Sequence, residues 1–157
     1  MNQVFGFKQL TTVAALVAVL FVTGCGPSIP DIVPAKGNIT FNGKPLYNVE
    51  VRFVPTQDGL DGNMIASGLS DKEGNFVMKL PGKSESGCCV GEAKVLILEG
   101  EMPDEIRGDE SDQMAATKFL KSLGPRPDFN LYKIMNNTPL SVTVTKDKTE
   151  YNFELDR

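Results

Sequence analysis

From Lys36 to the C-terminus the chain alternates short apolar-polar runs with tight-turn dipeptides, the pattern of a β-domain rather than a helical one. Ile39-Thr40-Phe41 runs into Asn42-Gly43, a two-residue turn whose members both tolerate positive φ. Val49, Val51 and Phe53 then alternate with Glu50 and Arg52, which predicts a half-buried strand ending at Pro55. A polar loop over residues 56–63 follows. Met64 to Ser70 predicts a further strand, and Asp71-Lys72-Glu73-Gly74-Asn75 predicts a tight turn into Phe76–Leu80. Glu92–Leu98 reads as a central strand. At the C-terminus, Leu140-Ser-Val-Thr-Val-Thr and Tyr151-Asn-Phe-Glu-Leu alternate on either side of the charged turn Lys146-Asp147-Lys148, as a last strand pair. About seven short strands at this spacing predict an all-β antiparallel sandwich.

One segment breaks that rhythm. Residues 99–135 open with an acidic stretch, Glu99 to Asp112, and continue into a predicted helix from about Ser111 to Leu123. Ala115, Ala116, Phe119, Leu120 and Leu123 share one stripe, and Gly124-Pro125 is a stop. Asp109, Glu110 and Asp112 suit a helix N-terminus by charge. The helix is expected across a sheet edge or the open end of the sandwich.

The N-terminus has a different character. After Lys8 the run Val13–Val22 holds ten uninterrupted apolar residues, half of the roughly 20 that a bilayer span requires. Gly24, Gly26, Pro27 and Pro30 follow at once, which is the layout of an export signal and not of a permanent helix. The run closes on Val22-Thr23-Gly24-Cys25, which resembles the bacterial lipobox. That resemblance implies diacylglycerol on the Cys25 sulfur, cleavage before Cys25 and acylation of the new amino group, palmitate being a typical acyl chain. Residues 1–24 are then a lipoprotein signal peptide and residues 25–35 a Pro-rich extended tether, whose prolines disfavour a paired strand. Gly26 stands where some bacteria place a retention aspartate, which favours the outer membrane or the periplasmic face within the cell envelope.

Composition narrows the partners. Of 157 residues, 41% are hydrophobic and 23% charged, ordinary for one globular domain. Removing residues 1–24 takes Lys8 away, leaving 15 Lys and Arg against 20 Asp and Glu, a net charge of −5. Such a balance offers no footprint for nucleic acid and no polybasic patch for anionic lipid. Membrane attachment would come through acyl chains on Cys25, firm only when two or more are present.

With its segments placed, residues 36–157 resemble the carboxypeptidase-regulatory-like, transthyretin-like domains of planctomycete-type bacterial lipoproteins. The matching residues are Gly37-Asn-Ile-Thr-Phe-Asn-Gly-Lys-Pro-Leu46, Val49-x-Val51-x-Phe53-x-Pro55, Gly68-Leu-Ser-Asp-Lys-Glu-Gly-Asn-Phe76, Gly91-Glu-Ala-Lys-Val95 and Asn137-Thr-Pro-Leu140. The resemblance implies a seven-stranded antiparallel Greek-key, prealbumin-like sandwich, here with one short inserted helix, and no shared catalytic residues. Two departures stand out: the family's Gly-x-Tyr-x-Val is Gly91-Glu92-Ala93-Lys94-Val95, and the 99–135 insertion is longer than usual.

Histidine is absent from the sequence, which excludes Ser-His-Asp and Cys-His catalysis and any His-containing zinc site. Asp58-Gly59-Leu60-Asp61-Gly62-Asn63 and Asp71–Asn75 carry oxygen donors but lack the spacing and distal glutamate of a calcium loop. They read as turns, and no cofactor or metal is predicted. Tryptophan is missing too, leaving Tyr47, Tyr132 and Tyr151 as the only tyrosines that could stack on a ligand. Cys88 and Cys89 are adjacent. Their Cα atoms stand about 3.8 Å apart, short of the usual disulfide range of about 4.4–6.8 Å, so they form either a strained vicinal disulfide or a buried thiol pair. Alternation along a strand would turn one inward and the other outward.

These readings converge on a lipid-anchored, non-catalytic cell-envelope lipoprotein whose sandwich serves as a binding or structural module, its partner an envelope protein or glycan. A periplasmic small-molecule carrier, or a hydrolase with a carboxylate-lined pocket, is the alternative. Convergent carboxylates in the largest pocket would favour the second reading; an open surface or uncovered strand edges would favour the first.

Overall fold

The computed structural model describes residues 30–60, 62–83, 86–106 and 112–156. The signal peptide, Cys25, Asp109 and Glu110 lie outside the described residues. Ten strand segments run in the order β1 (Ile32–Val33), β2 (Lys36–Phe41), β3 (Lys44–Pro45), β4 (Val49–Pro55), β5 (Ala66–Leu69), β6 (Asn75–Val77), β7 (Cys88–Cys89), β8 (Gly91–Glu99), β9 (Ser141–Val144) and β10 (Phe153–Leu155). Helix α1 (Asp112–Ser122) falls between β8 and β9. Among the described residues, seven of the strands have three residues or more, and β1, β3 and β7 are two-residue ladders.

One sheet has the order β5-β4-β8-β9, antiparallel throughout. Its centre is the seven-pair register of β4 on β8, from Val49↔Glu99 to Pro55↔Ala93. The alternation seen in the sequence sorts the faces: Val49, Val51, Phe53, Ala93, Val95 and Ile97 are buried, while Glu50 and Arg52 point away from the core. The second sheet is built on β2, which pairs with β6 and then β3 along one side and with β10 along the other. Asn42 and Gly43 take φ of 50° and 73°, so the β2–β3 turn is left-handed at both positions, as the Asn-Gly pair predicts.

The two sheets face each other across a shared core of Ile39, Val51, Phe53, Phe76, Met78, Ile97, Tyr151 and Leu155, among others. Phe53 meets Tyr151 edge-on at 5.7 Å and Phe153 at 6.0 Å, tying the layers together. Burying each such side chain contributes about 1.5–3 kcal/mol, and each ring pair about 0.5–1.5 kcal/mol more.

Several expectations need correction. The last two strands are not partners, because β9 pairs with β8 in one sheet and β10 with β2 in the other. The β2–β10 pair is parallel, Phe153 lying opposite Ile39, so the domain is not antiparallel throughout. Alternation reports which face a strand buries and says nothing of its neighbour; both strands bury one face in the same interior. The crossing between sheets is held by the Tyr151 hydroxyl, which donates to the Lys148 carbonyl at 2.8 Å, with the Lys148 ammonium 4.9 Å from the centre of the Tyr151 ring. The strand expected over Phe76–Leu80 ends at Val77, and Lys79 bridges to Ser67 and Ser86 instead.

The tether is also shorter than expected. Ile32 and Val33 pair with Cys89 and Cys88, and Ala35 is buried, so the chain joins the fold from Asp31 onward. Pro30 and Pro34 flank this ladder without interrupting it, which is how two residues pair inside a proline-spaced segment.

The registers define two ends. One holds the Asn42-Gly43 turn, residues 46–48, the Asp71–Asn75 turn and Gly100; the other holds Asp31, residues 79–83 and 86–90, and the Lys146–Lys148 turn. Helix α1 packs at the first end through Phe119, edge-on to Tyr47 at 6.4 Å. Its stripe is only partly covered: Leu123 is buried and Ala115, Ala116 and Phe119 are half-buried, but Leu120 is 52% exposed. Gly124, at φ 71°, stops it.

Candidate functional site

The thiol pair was the first candidate for chemistry. Both Cys88 and Cys89 are free and buried, which corrects the expectation that one would face outward. Their side chains do leave β7 on opposite sides, but both sides are covered. Cys88 lies in the core near Tyr151, and the Cys89 sulfur is 3.6 Å from the Met64 sulfur and 3.8 Å from the Met64 carbonyl. Burial, with Cys89 adding to it, pushes the Cys88 thiol up to about 12; burial also raises Cys89. At neutral pH the Cys88 thiolate fraction is then on the order of 10⁻⁵, and the thiolate is the nucleophile and the metal ligand. The pair packs as two small apolar side chains.

An open groove of about 740 Å³ lies where β4 and β5 meet β6. Its apolar surface includes Leu69, 57% exposed, and Val77, 46% exposed. Glu50, Arg52, Lys79 and Glu101 supply charge around them. Gly68 shapes the floor: a methyl there would stand 2.6 Å from the Val77 carbonyl oxygen, so only glycine lets β5 lie this close to β6. Two of the carboxylates are already engaged. Glu50 pairs with Arg52 at 2.7 Å, two residues along the same face of β4, and the contact raises the Arg52 guanidinium. Asp71 accepts the backbone N–H of Glu73 at 3.0 Å and of Asn75 at 2.8 Å, holding the turn that Gly74 completes at φ 79°. The groove therefore offers an amphipathic surface rather than a set of convergent acids.

Of the two oxygen-rich loops, the first includes Asp61, which lies outside the described residues; among the described residues no group of three or more Asp, Glu or Cys is placed to hold a metal ion. The tyrosines do not form a stacking platform. Tyr132 and Tyr151 are buried, and Tyr47 is engaged with Phe119.

A third cluster fastens the insertion to the sandwich. The Arg126 guanidinium donates to the Tyr47 carbonyl and, at 2.9 Å, to the Asn48 carbonyl; its Nε stands 3.5 Å from Glu99, and its plane lies 5.3 Å over the Phe129 ring. Asn48 answers from the other side, at φ 55°, donating its amide to the Gly100 carbonyl at 3.2 Å while its own carbonyl accepts the Gly100 N–H at 3.0 Å. Burial lowers the Arg126 pKa, and Glu99 opposes that shift. Sequence reasoning passed over this residue. Its one signal is its setting, an arginine between two prolines, Pro125-Arg126-Pro127, just past the helix stop.

A scan against protein-family models finds no match, and comparisons with curated proteins and with solved structures find none either. Among the described residues no helix is long and apolar enough to cross a membrane.

Proposed function

We propose that the protein is a lipid-anchored, non-catalytic lipoprotein of the cell envelope, its sandwich a carboxypeptidase-regulatory-like module of Greek-key, prealbumin-like topology, held to the membrane by acyl chains on Cys25. The observation that carries this reading is the spacing between the lipobox-like Cys25 and the fold. The apolar run ends at Cys25, and the chain is already docked on the sandwich at Asp31, whose carbonyl accepts the Val90 N–H at 2.8 Å and whose carboxylate meets Lys146 at 2.5 Å. Such an arrangement suits a domain seated directly on its anchor. The binding role draws support from the open groove, whose apolar side chains and ion pair fit an envelope protein or glycan better than they fit bond cleavage.

Mass spectrometry of the native N-terminus tests the anchor, with detergent partitioning of the wild type against Cys25→Ser. The expected result is an N-terminal acylated cysteine and a detergent-phase wild type, with Cys25→Ser in the aqueous phase. An unmodified, aqueous wild type would refute the proposal.

A further inference from the structure

Resting on the lipoprotein reading, we infer that the end of the sandwich formed by β1, β7 and the Lys146–Lys148 turn faces the bilayer and that the insertion-bearing end points away from it. Two lengths decide the orientation. Whatever conformation residues 26–30 take, the six steps from Cys25 to Asp31 span at most about 20 Å. Asp31 lies level with Val90, to which it is hydrogen-bonded, and from Val90 the chain runs through β8 to Gly100 at the opposite end. Ten residues of strand at 3.2–3.4 Å each make that distance about 30 Å. An inverted domain would need Asp31 about 30 Å above the membrane, beyond the reach of the tether. The end bearing Asp31 must stay within about 20 Å of the headgroups.

The surface on that end suits proximity more than adhesion. Ile32 is about half exposed there, and the charges are mixed: Lys36, Lys79, Lys83, Lys146 and Lys148 share that end with Asp31, Asp147 and Glu150. The tether's reach alone forbids the inverted domain, so the orientation should hold at high salt, where attraction of these lysines to lipid is screened. The opposite end is left free for a partner. It presents the β2–β3 hairpin and α1, seated there by Phe119 on Tyr47 and by Arg126 on the Tyr47 and Asn48 carbonyls.

The test uses full-length, natively processed protein in liposomes, with a fluorophore on Asp147→Cys, Lys44→Cys or Lys118→Cys and a headgroup-labelled quencher lipid. Cys88 and Cys89 are buried and leave the introduced thiol as the labelling site. The label at position 147 is expected to be quenched several-fold more than those at 44 and 118, with no change in that order between low and high salt. Equal quenching at all three sites, or the reverse order, would overturn the inference. Lengthening the tether by ten Gly-Ser residues after Gly26 is expected to erase the difference; persistence of the order in that variant would overturn reach as its cause. Flotation with the vesicles is measured first, since protein that fails to float refutes the anchor itself, whereas protein that floats in the wrong orientation refutes only this inference.

Discussion

Arg126→Ala removes the fastening between the insertion and the sandwich, and its cost can be worked from the contacts. Two charged hydrogen bonds to the carbonyls of Tyr47 and Asn48 are lost, each worth about 1.5–3 kcal/mol in general. The stacking on Phe129 adds about 0.5–2 kcal/mol. The Glu99 contact adds little, because that carboxylate is 54% exposed and the separation is 3.5 Å. Against this, the variant no longer confines a guanidinium whose burial disfavours its charge, and water can reach the freed carbonyls. The balance is a loss of about 2–4 kcal/mol. For a domain of this size, that lowers the melting temperature by roughly 6–14 °C. Arg126→Lys keeps the charge but not the fork that spans two carbonyls, and should lose about half as much. Urea unfolding of a Cys25→Ser background gives the free energy, and hydrogen exchange gives the location: the Gly100 amide and the backbone of α1 should lose protection before β4 and β8. A midpoint shift equivalent to less than ~0.5 kcal/mol in Arg126→Ala, or protection lost uniformly, would refute the account of Arg126 as the fastening.

Two further predictions concern the core. Gly37→Ala would place a methyl onto the Tyr151 carbonyl and within 2.6 Å of the Phe76 ring, so the β2 strand cannot keep both neighbours; a loss above ~3 kcal/mol is expected by thermal melting, and a near-wild-type melt would contradict the packing described. The thiols predict an alkaline weakness. Above about pH 9 the unfolded chain ionises Cys88 while the fold, holding its pKa near 12, keeps the proton. The unfolded state then binds one proton fewer, and stability falls by about 1.4 kcal/mol per pH unit between those values. Cys88→Ala should flatten that slope in urea titrations from pH 8 to 11, and an unchanged slope would show that other groups carry it.

What was legible beforehand followed from local chemistry. Asn42-Gly43 names its turn because few other residues take positive φ twice, and Val49, Val51 and Phe53 name the buried face of β4 because sterics force side chains to alternate. Partner choice was not legible. Ser141–Val144 and Phe153–Leu155 look alike as half-buried strands, yet they belong to different sheets, and nothing within either segment encodes a parallel match to β2 more than 110 residues away, across which Asn38 N–H still donates to the Asn152 side chain. Two-residue ladders such as β1 with β7 are too short to carry a period. The candidate sites divide in the same way. Adjacent cysteines announced themselves but proved to be packing, while Arg126 gained its role from carbonyls 78 and 79 residues away.

The parallel seat of β10 on β2 also governs when the domain can come into being. Lys36 receives its backbone partners from Thr149 and Tyr151, so one flank of β2 stays open until residues more than 110 positions further along are available. Pairings of such long sequence separation form slowly, because loop closure is paid before the contact rewards it. A nascent chain would therefore leave that flank of β2 open until residues 149–155 have been made, and, on the export route proposed above, such late closure of the sheet would leave the polypeptide time to thread a translocation channel before it folds.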